Sequence, residues 1–256
     1  PKNADIALAF CFANKSVALQ AMWKSGREFR YRPFQLGFIL MSLESVARPE
    51  SQHRDICDLM WVPTGGGKTE AYLVLVAFLL AYRRRLALSS STPSSGAGIT
   101  AITRYTLRLL TIQQFRRTLS IVTASEFLRV STSGGTGQVG WRPESFPNKD
   151  DFIWGTSQFS AGLWIGSSVT PNTLLDKQKD IGAITILENK NSRTTKDPAQ
   201  ILECPCCSRI VSVPARGLSA GMQVLSLVVE SAEGSDITSA AGEIPSLGKD
   251  VTGGTS

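Results

Sequence analysis

Apolar positions along this chain recur with two patterns, one typical of helices and the other of short buried strands. Residues 3–23 and 34–47 carry apolar side chains at helical spacing, and Pro33 suits the first position of the second helix. Three short apolar runs predict strands, and they occupy residues 59–62, 98–103 and 159–165. A helical pattern follows each run, at residues 71–82, about 104–128, and 174–187. This alternation predicts an α/β fold in which helices cover a parallel sheet.

A glycine-rich loop separates the first predicted strand from the helix after it. The loop reads Thr64-Gly65-Gly66-Gly67-Lys68-Thr69-Glu70. Glycines let consecutive backbone N–H groups converge on a phosphate, and the start of the helix adds partial positive charge. In a P-loop the lysine reaches the β- and γ-phosphates and the threonine hydroxyl binds Mg²⁺. The pattern therefore predicts a site for a nucleoside triphosphate and Mg²⁺.

One position of this loop departs from the usual pattern. Val62 stands where a P-loop ordinarily has its first glycine. The alternative interpretation is a glycine turn before a helix that happens to begin with lysine and threonine. The strand and helix on either side favour the P-loop, because both fall where that motif requires them.

Net charge and cysteine content indicate which kind of partner and which cellular compartment to expect. The net charge is +6 and the isoelectric point is about 9.2, which favours a polyanionic partner. Five unevenly spaced cysteines do not form a disulfide framework, which favours a reducing compartment and hence the cytoplasm. No membrane partner is expected. The basic run 83–85 is interpreted as a solvated helix end, with a nucleic-acid contact as the alternative.

Two of the cysteines have the spacing of one half of a zinc site. Cys204 and Cys207 have the two-residue spacing of a zinc knuckle, but no second pair follows them. Cys206, His53 and Cys57 are the other candidate ligands in the chain. Zn²⁺ held partly by residues outside these 256 is favoured over a complete site within them.

Several stretches together resemble one family. The chain is similar to the front part of superfamily 2 helicases and, among them, to the helicase subunit of the bacterial anti-phage DISARM system. The stretches that carry the resemblance are RPFQLGF at 32–38, DLMWVPTGGGKTEAY at 58–72, RYTLRLLTIQQF at 104–115, GLWIG at 162–166, TPN at 170–172 and CPCC at 204–207. The resemblance implies a RecA-like sheet, ATP as the nucleotide, and ATP-driven translocation on DNA within a defence complex that has a partner subunit.

The resemblance also implies roles for individual residues. Gln35 matches a glutamine that reads the adenine edge, with an ordinary helix glutamine as the alternative. A family segment that contacts nucleic-acid phosphates without reading sequence is matched here by Thr103, Arg104 and Thr106. The alternative interpretation of these residues is an ordinary basic helix start. The implied nucleotide-binding residues are Gln35 and Thr64 to Glu70, with Lys68 and Thr69 also acting in catalysis.

Three regions are predicted: an N-terminal helical segment at 1–55, an incomplete ATP-binding lobe at 56–198, and a small cysteine-containing, strand-rich insertion with a tail at 199–256. A helicase also needs an Asp-Glu pair to hold Mg²⁺ and orient water, and no such dipeptide occurs in the chain. We therefore expect a truncated sequence that binds ATP but hydrolyses it poorly. Two alternatives stay open: a restriction-type P-loop translocase, and a nucleotide-binding interaction module without catalysis.

Overall fold

The computed structural model contains five helices and two very short strands among the residues that it describes. Those residues exclude 1, 64, 91–95, 106–107, 133–137, 147–149, 167–168, 179, 189–195, 213–227 and 230–256. The helices are α1 (Lys2–Ser25), α2 (Pro33–Ala47), α3 (Lys68–Leu88), α4 (Arg108–Val130) and α5 (Ala183–Glu188). The strands β1 (Val211–Ser212) and β2 (Val228–Val229) pair antiparallel.

Helix α3 is the centre of the structure, with α1, α2 and α4 packed around it. Its sequence is apolar on nearly every face, and such a helix is stable only when other elements enclose it. Ala71, Ala77 and Ala81 are fully buried, and their small side chains let the neighbouring helices approach closely. The N-terminus of this buried helix carries Lys68 and Thr69, so the packing of α3 positions the candidate site.

The prediction of a parallel sheet is wrong. Residues 59–62, 98–103 and 159–165 have no regular secondary structure, and no strand pairing joins them in the part of the chain that is described. Trp61 and Trp164 are 90% and 97% exposed. A short apolar run does not by itself distinguish a strand from other structure, because a strand also needs a neighbour to pair with its backbone.

The prediction of a helix at 174–187 is also wrong for most of that range. The chain instead makes a tight turn in which the Asp176 carboxylate accepts the backbone N–H of Gly182 at 2.6 Å. Gly182 lies so close to the backbone of Leu174 and Leu175 that a side chain has no room there. Only the short helix α5 follows this turn, so local hydrogen bonding and close packing replaced the predicted helix.

The arginine run at the end of α3 is not a solvated helix end. Arg84 is buried, donates to the carbonyl of Gln158 at 3.2 Å and lies over the ring of Phe159. Arg85 forms ion pairs with Asp5 and Asp150, both at 2.8 Å. Burial, together with nearby Arg129, lowers the pKa of Arg84 below its ordinary value. These side chains attach α3 to other elements instead of facing water.

Helix α1 has the length and composition of a membrane-spanning helix. Among the described helices, the segment Ala4–Ser25 meets that test. Buried core helices and signal sequences meet it equally well. Ala9, Phe12 and Ala13 are fully buried, and α1 packs on α3 and α4. The expectation that no membrane is a partner stays a prediction.

The aromatic core is closed by the segment after α4. Trp154 is fully buried, packs on Phe12 with ring centroids 4.4 Å apart, and donates its indole N–H to the carbonyl of Trp141 at 2.8 Å. Gly140 lies directly against this indole with φ of +115°, a conformation that residues with a side chain rarely adopt. Glycine is therefore required at position 140 for two independent reasons.

We predict that Gly140→Ala lowers the free energy of unfolding by about 2 kcal/mol or more, from overpacking and backbone strain together. An added Cβ would lie 2.7 Å from Cδ1 of Trp154. The matched control is Gly162→Ala, because nothing lies within 4 Å of that position. Urea unfolding followed by circular dichroism measures both variants, and equal stabilities would contradict this account of the core.

Candidate nucleotide-binding site

The glycine loop before α3 makes a tight bend. Gly65 and Gly67 have φ of +79° and +92°, where residues with a Cβ are strained. Gly66 has an ordinary φ, but an added Cβ would lie 2.9 Å from both the carbonyl oxygen of Pro63 and a methyl group of Val62. All three glycines are therefore needed for the path that the loop follows.

The side chain of Lys68 turns back over this loop. Its ammonium donates to the carbonyls of Val62 at 2.5 Å and Pro63 at 3.0 Å. The positive charge thus lies against the loop and away from the helix. A phosphate oxygen bound at the loop would compete with these carbonyls for the same donor, because charge-assisted hydrogen bonds are the stronger kind.

Helix α2 holds the loop from a second side. The guanidinium of Arg32 donates to the carbonyl of Gly66 at 2.8 Å, and the amide of Gln35 donates to the carbonyl of Gly67 at 2.8 Å. The amide oxygen of Gln35 accepts the backbone N–H of Arg32 at 2.8 Å. Gln35 therefore lies beside the loop and has a structural role there, and its reading of adenine stays a prediction.

Thr69 is the centre of a hydrogen-bond network in the first turn of α3. Its hydroxyl oxygen lies 3.1 Å from the phenol oxygen of Tyr72 and 3.2 Å from the amide oxygen of Gln114 on α4. Burial is the main cause that raises the pKa of Tyr105, in the segment before α4, to about 12, and hydrogen bonding with Tyr72 adds to the rise. This network brings the segment before α4 close to the glycine loop.

Glu70 anchors α3 to α4. One of its carboxylate oxygens pairs with the guanidinium of Arg117, and the other is buried without a hydrogen-bond partner among the described residues. The backbone carbonyl of Arg117 accepts the amide of Gln20 on α1 at 3.1 Å. Glu70 was predicted among the nucleotide-binding residues, and here its side chain is engaged between two helices.

The predicted nucleic-acid residues lie just beyond this network. Thr103 and Arg104 are exposed, and they directly precede Tyr105 in the chain. Thr103 and Tyr105 line a cavity of about 800 Å³ formed with α3, α4 and residues 158–164. Two predicted residues, Thr64 and Thr106, lie outside the described residues.

The cysteine cluster lies on a hairpin turn. The backbone N–H of Cys204 donates to the carbonyl of Arg209 at 2.8 Å, and the N–H of Ser208 donates to the carbonyl of Cys204 at 2.9 Å. Burial, with the two neighbouring thiols of Cys204 and Cys207, raises the pKa of Cys206 to about 12. No group of three or more potential metal ligands occurs among the described residues. The zinc half-site at Cys204 and Cys207 stays a prediction.

Several residues of the site were not identified from the sequence. Arg32, Tyr72, Tyr105 and Gln114 all belong to the resembling stretches, but the sequence pattern assigns no role to them. Tyr72 follows Thr69 at a spacing that places both on one face of a helix, so the contact between them was predictable. The contact with Gln114 required the packing of α4 on α3 and had no local signal.

Comparison with known proteins identifies a relative of this chain. No protein-family model matches it. Over 203 residues, which are 76% of the chain, it is 38% identical to a bacterial DISARM protein. That protein is the DISARM protein DrmA of Bacillus paralicheniformis, and the match covers 16% of its length. The chain is a homologue of this part of DrmA, which confirms the DISARM resemblance predicted from the sequence.

We predict that Arg117→Ala lowers the free energy of unfolding by about 1–2 kcal/mol, because it leaves the half-buried Glu70 carboxylate without its partner. Arg116→Ala is the matched control, since Arg116 is the adjacent arginine and is exposed. Its effect should stay within about 0.5 kcal/mol. Thermal unfolding of the two variants provides the measurement, and a larger effect at Arg116 would count against the anchoring role of Glu70.

Proposed function

We propose that this chain binds Mg·ATP at the loop of residues 62–69 and is the ATP-binding part of a DNA helicase or translocase in a DISARM-type defence system. The observation that carries the proposal is the loop itself, in which glycines curl the backbone around the ammonium of Lys68. The homology to DrmA supports the defence role. The proposal includes a partner subunit and a cytoplasmic location.

The residues present fit a bound triphosphate. The first N–H groups of a helix lack partners within it, so the N-terminus of α3 offers donors and partial positive charge beside Lys68. The bend of the loop leaves no room for a Cβ at positions 66 and 67, so glycine is needed at both. Thr69 supplies a hydroxyl in the first turn for Mg²⁺. Bound Mg²⁺ would neutralise charge on the phosphates.

The positions of Gln35, Thr103 and Arg104 support the roles proposed for them in binding adenine and DNA. Gln35 lies at the loop, where its amide can offer both a donor and an acceptor to adenine besides its present contacts. Thr103 and Arg104 are exposed and suit contacts with the phosphates of DNA. Such contacts carry little base specificity, so we expect binding that is indifferent to sequence.

A binding module without catalysis is the second candidate function. The 256 residues contain no Asp-Glu dipeptide. Glu70 is the acid closest to Lys68 in sequence, and its pairing with Arg117 opposes a role in activating water. These observations favour binding over turnover for the chain by itself.

We predict that Lys68→Ala weakens ATP binding about tenfold to a hundredfold, the usual range for loss of a charge-assisted hydrogen bond. The fold should persist, because the side chain contacts only loop carbonyls. Lys24→Ala, at an exposed lysine in the last turn of α1, is the control. Isothermal titration calorimetry measures both variants, and unchanged affinity in Lys68→Ala would refute the nucleotide site.

We also predict that the chain binds Mg·ATP without turning it over. An arginine finger alone contributes about a thousandfold or more to the rate of phosphoryl transfer, mostly in the transition state. Phosphate release from the purified chain is the assay, with Lys68→Ala as the control for contaminating ATPase. Robust turnover that disappears in the control would mean that an acid of this chain, Glu70 or Glu188, is catalytic.

DNA binding should be weak and should fall as salt rises, because each phosphate contact releases condensed counterions. Arg104→Glu should weaken binding and reduce the steepness of the salt dependence. Arg27→Glu makes the same charge change at another exposed position and is the control. Fluorescence anisotropy with a single-stranded oligonucleotide at several salt concentrations tests this, and equal effects of the two changes would argue against a specific contact at Arg104.

A further inference from the structure

Helix α2 carries apolar residues on two opposite faces. One face packs on α3 and includes the buried Ile39. A soluble helix ordinarily exposes a polar face, and a contiguous exposed apolar surface marks a site of interaction. The second face, here called the outward face of α2, consists of Pro33, Leu36, Gly37, Leu40, Met41 and Glu44.

The middle of the outward face has the spacing of a coiled-coil seam. Pro33, Gly37, Leu40 and Glu44 follow one another at intervals of four, three and four residues, so they lie in one line along the helix. Nothing lies within 4 Å of a Cβ added at Gly37. The line therefore has an open gap at Gly37 beside the exposed side chain of Leu40.

This line is complementary to itself when one helix is reversed. In an antiparallel pair related by a two-fold axis, Leu40 of each copy lies beside Gly37 of the other and occupies the gap. The Leu36 side chains of the two copies then flank one side of the seam, and the Met41 side chains flank the other. A parallel pair would place Gly37 against Gly37 and leave the gap empty.

The charges at the two ends of α2 favour the same arrangement. Glu44 is exposed near the C-terminus of the helix, and Arg32 is exposed at its N-terminus. In the antiparallel pair each Glu44 lies beside Arg32 of the other copy, where the guanidinium and the helix dipole both attract a carboxylate. A parallel pair would bring like charges together at both ends. Charge therefore selects the antiparallel pair.

A neighbouring segment adds apolar surface beside α2. It runs along the helix in the opposite direction, since Arg54 donates to the carbonyl of Ser45 at 2.7 Å and Arg32 donates to that of Gly66 at 2.8 Å. A stable interface buries about 1,200 Å² or more in total, so one helix pair needs such additional area. The exposed apolar side chains of this segment are Ile56, Leu59 and Trp61.

We propose that the outward face of α2 binds a second copy of this chain, in an antiparallel pair that is symmetric about a two-fold axis. The contact lies beside the candidate nucleotide site, because Arg32 and Gln35 of α2 also hold the glycine loop. The pairing itself needs neither nucleotide nor DNA, so it stands independently of the function proposed above.

Sedimentation velocity of the 256-residue chain at a series of concentrations measures the association. We expect a dimer with a dissociation constant on the order of micromolar, weakened as salt rises. Leu40→Glu should raise that constant about tenfold or more, because it places unpaired carboxylates in the apolar seam. Leu202→Glu is the matched control, since Leu40 and Leu202 are both 54% exposed and Leu202 lies outside α2 and its neighbouring segment.

An exchange of charges tests the direction of the pairing. Glu44→Arg and Arg32→Glu should each weaken the dimer about fivefold, by replacing an attraction with a repulsion. The double variant should restore most of the lost affinity. Within one chain the two residues are twelve positions apart, about 18 Å along a helix, so restoration requires contact between copies. Arg32→Glu gives up the contact with Gly66 in the single and the double variant alike, so comparing these two isolates the ion pair.

Each outcome decides the proposal. A chain that stays monomeric at every concentration would overturn it, and so would equal effects of Leu40→Glu and Leu202→Glu. A dimer that the double variant fails to restore would overturn the antiparallel arrangement. Met41→Glu tests the same surface if circular dichroism shows that Leu40→Glu does not fold, since Met41 is 79% exposed.

Discussion

The burial of α3 on nearly every face is the constraint on which the rest of this structure depends. Residues 71–82 of this helix are almost entirely apolar and cannot be stable in water, so α1, α2 and α4 must enclose them. Fully buried alanines at positions 71, 77 and 81 let these helices approach closely. The consequence reaches beyond the core, because the N-terminus of α3 carries Lys68 and Thr69. Once α3 is enclosed, both residues are held at a defined place.

The glycine loop acquires its order from the same packing. Three consecutive glycines lose much conformational freedom on folding, so a defined loop needs contacts that offset this cost. Those contacts come from α2 through Arg32 and Gln35, and from the ammonium of Lys68. On the side of α4, Glu70 and Thr69 are held by Arg117 and Gln114. The site is therefore assembled from three helices that lie far apart in the sequence.

Arginine side chains hydrogen-bond the backbone of the irregular segments, and so stabilise it as strand pairing would in a sheet. Residues 150–159 have little regular structure of their own, yet their backbone is held by buried or half-buried guanidinium groups. Arg129 donates to the carbonyls of Gly155 and Thr156, both at 3.1 Å, and Arg84 donates to that of Gln158 at 3.2 Å. Glu126 accepts the backbone N–H of Phe159 at 2.8 Å. A planar group with five donors suits several carbonyls at once.

The sequence by itself determined the elements whose signal is local. The four long helices were predictable because their apolar period, and Pro33 at the start of α2, act within a few residues. The position of Lys68 and Thr69 at a helix start, and the relationship to DrmA, were also evident from the residues alone. The DrmA relationship required no knowledge of the fold.

Only the tertiary structure decided the parts that depend on distant partners. The predicted strands did not form, because a strand is completed by pairing with another segment and its own pattern cannot specify that neighbour. Arg84 and Arg85 were expected in water but are held by residues 65 to 80 positions away. The contact between Thr69 and Gln114 likewise spans 45 positions. Such contacts form because enclosing α3 brings remote polar groups together, and buried polar groups must then find partners there.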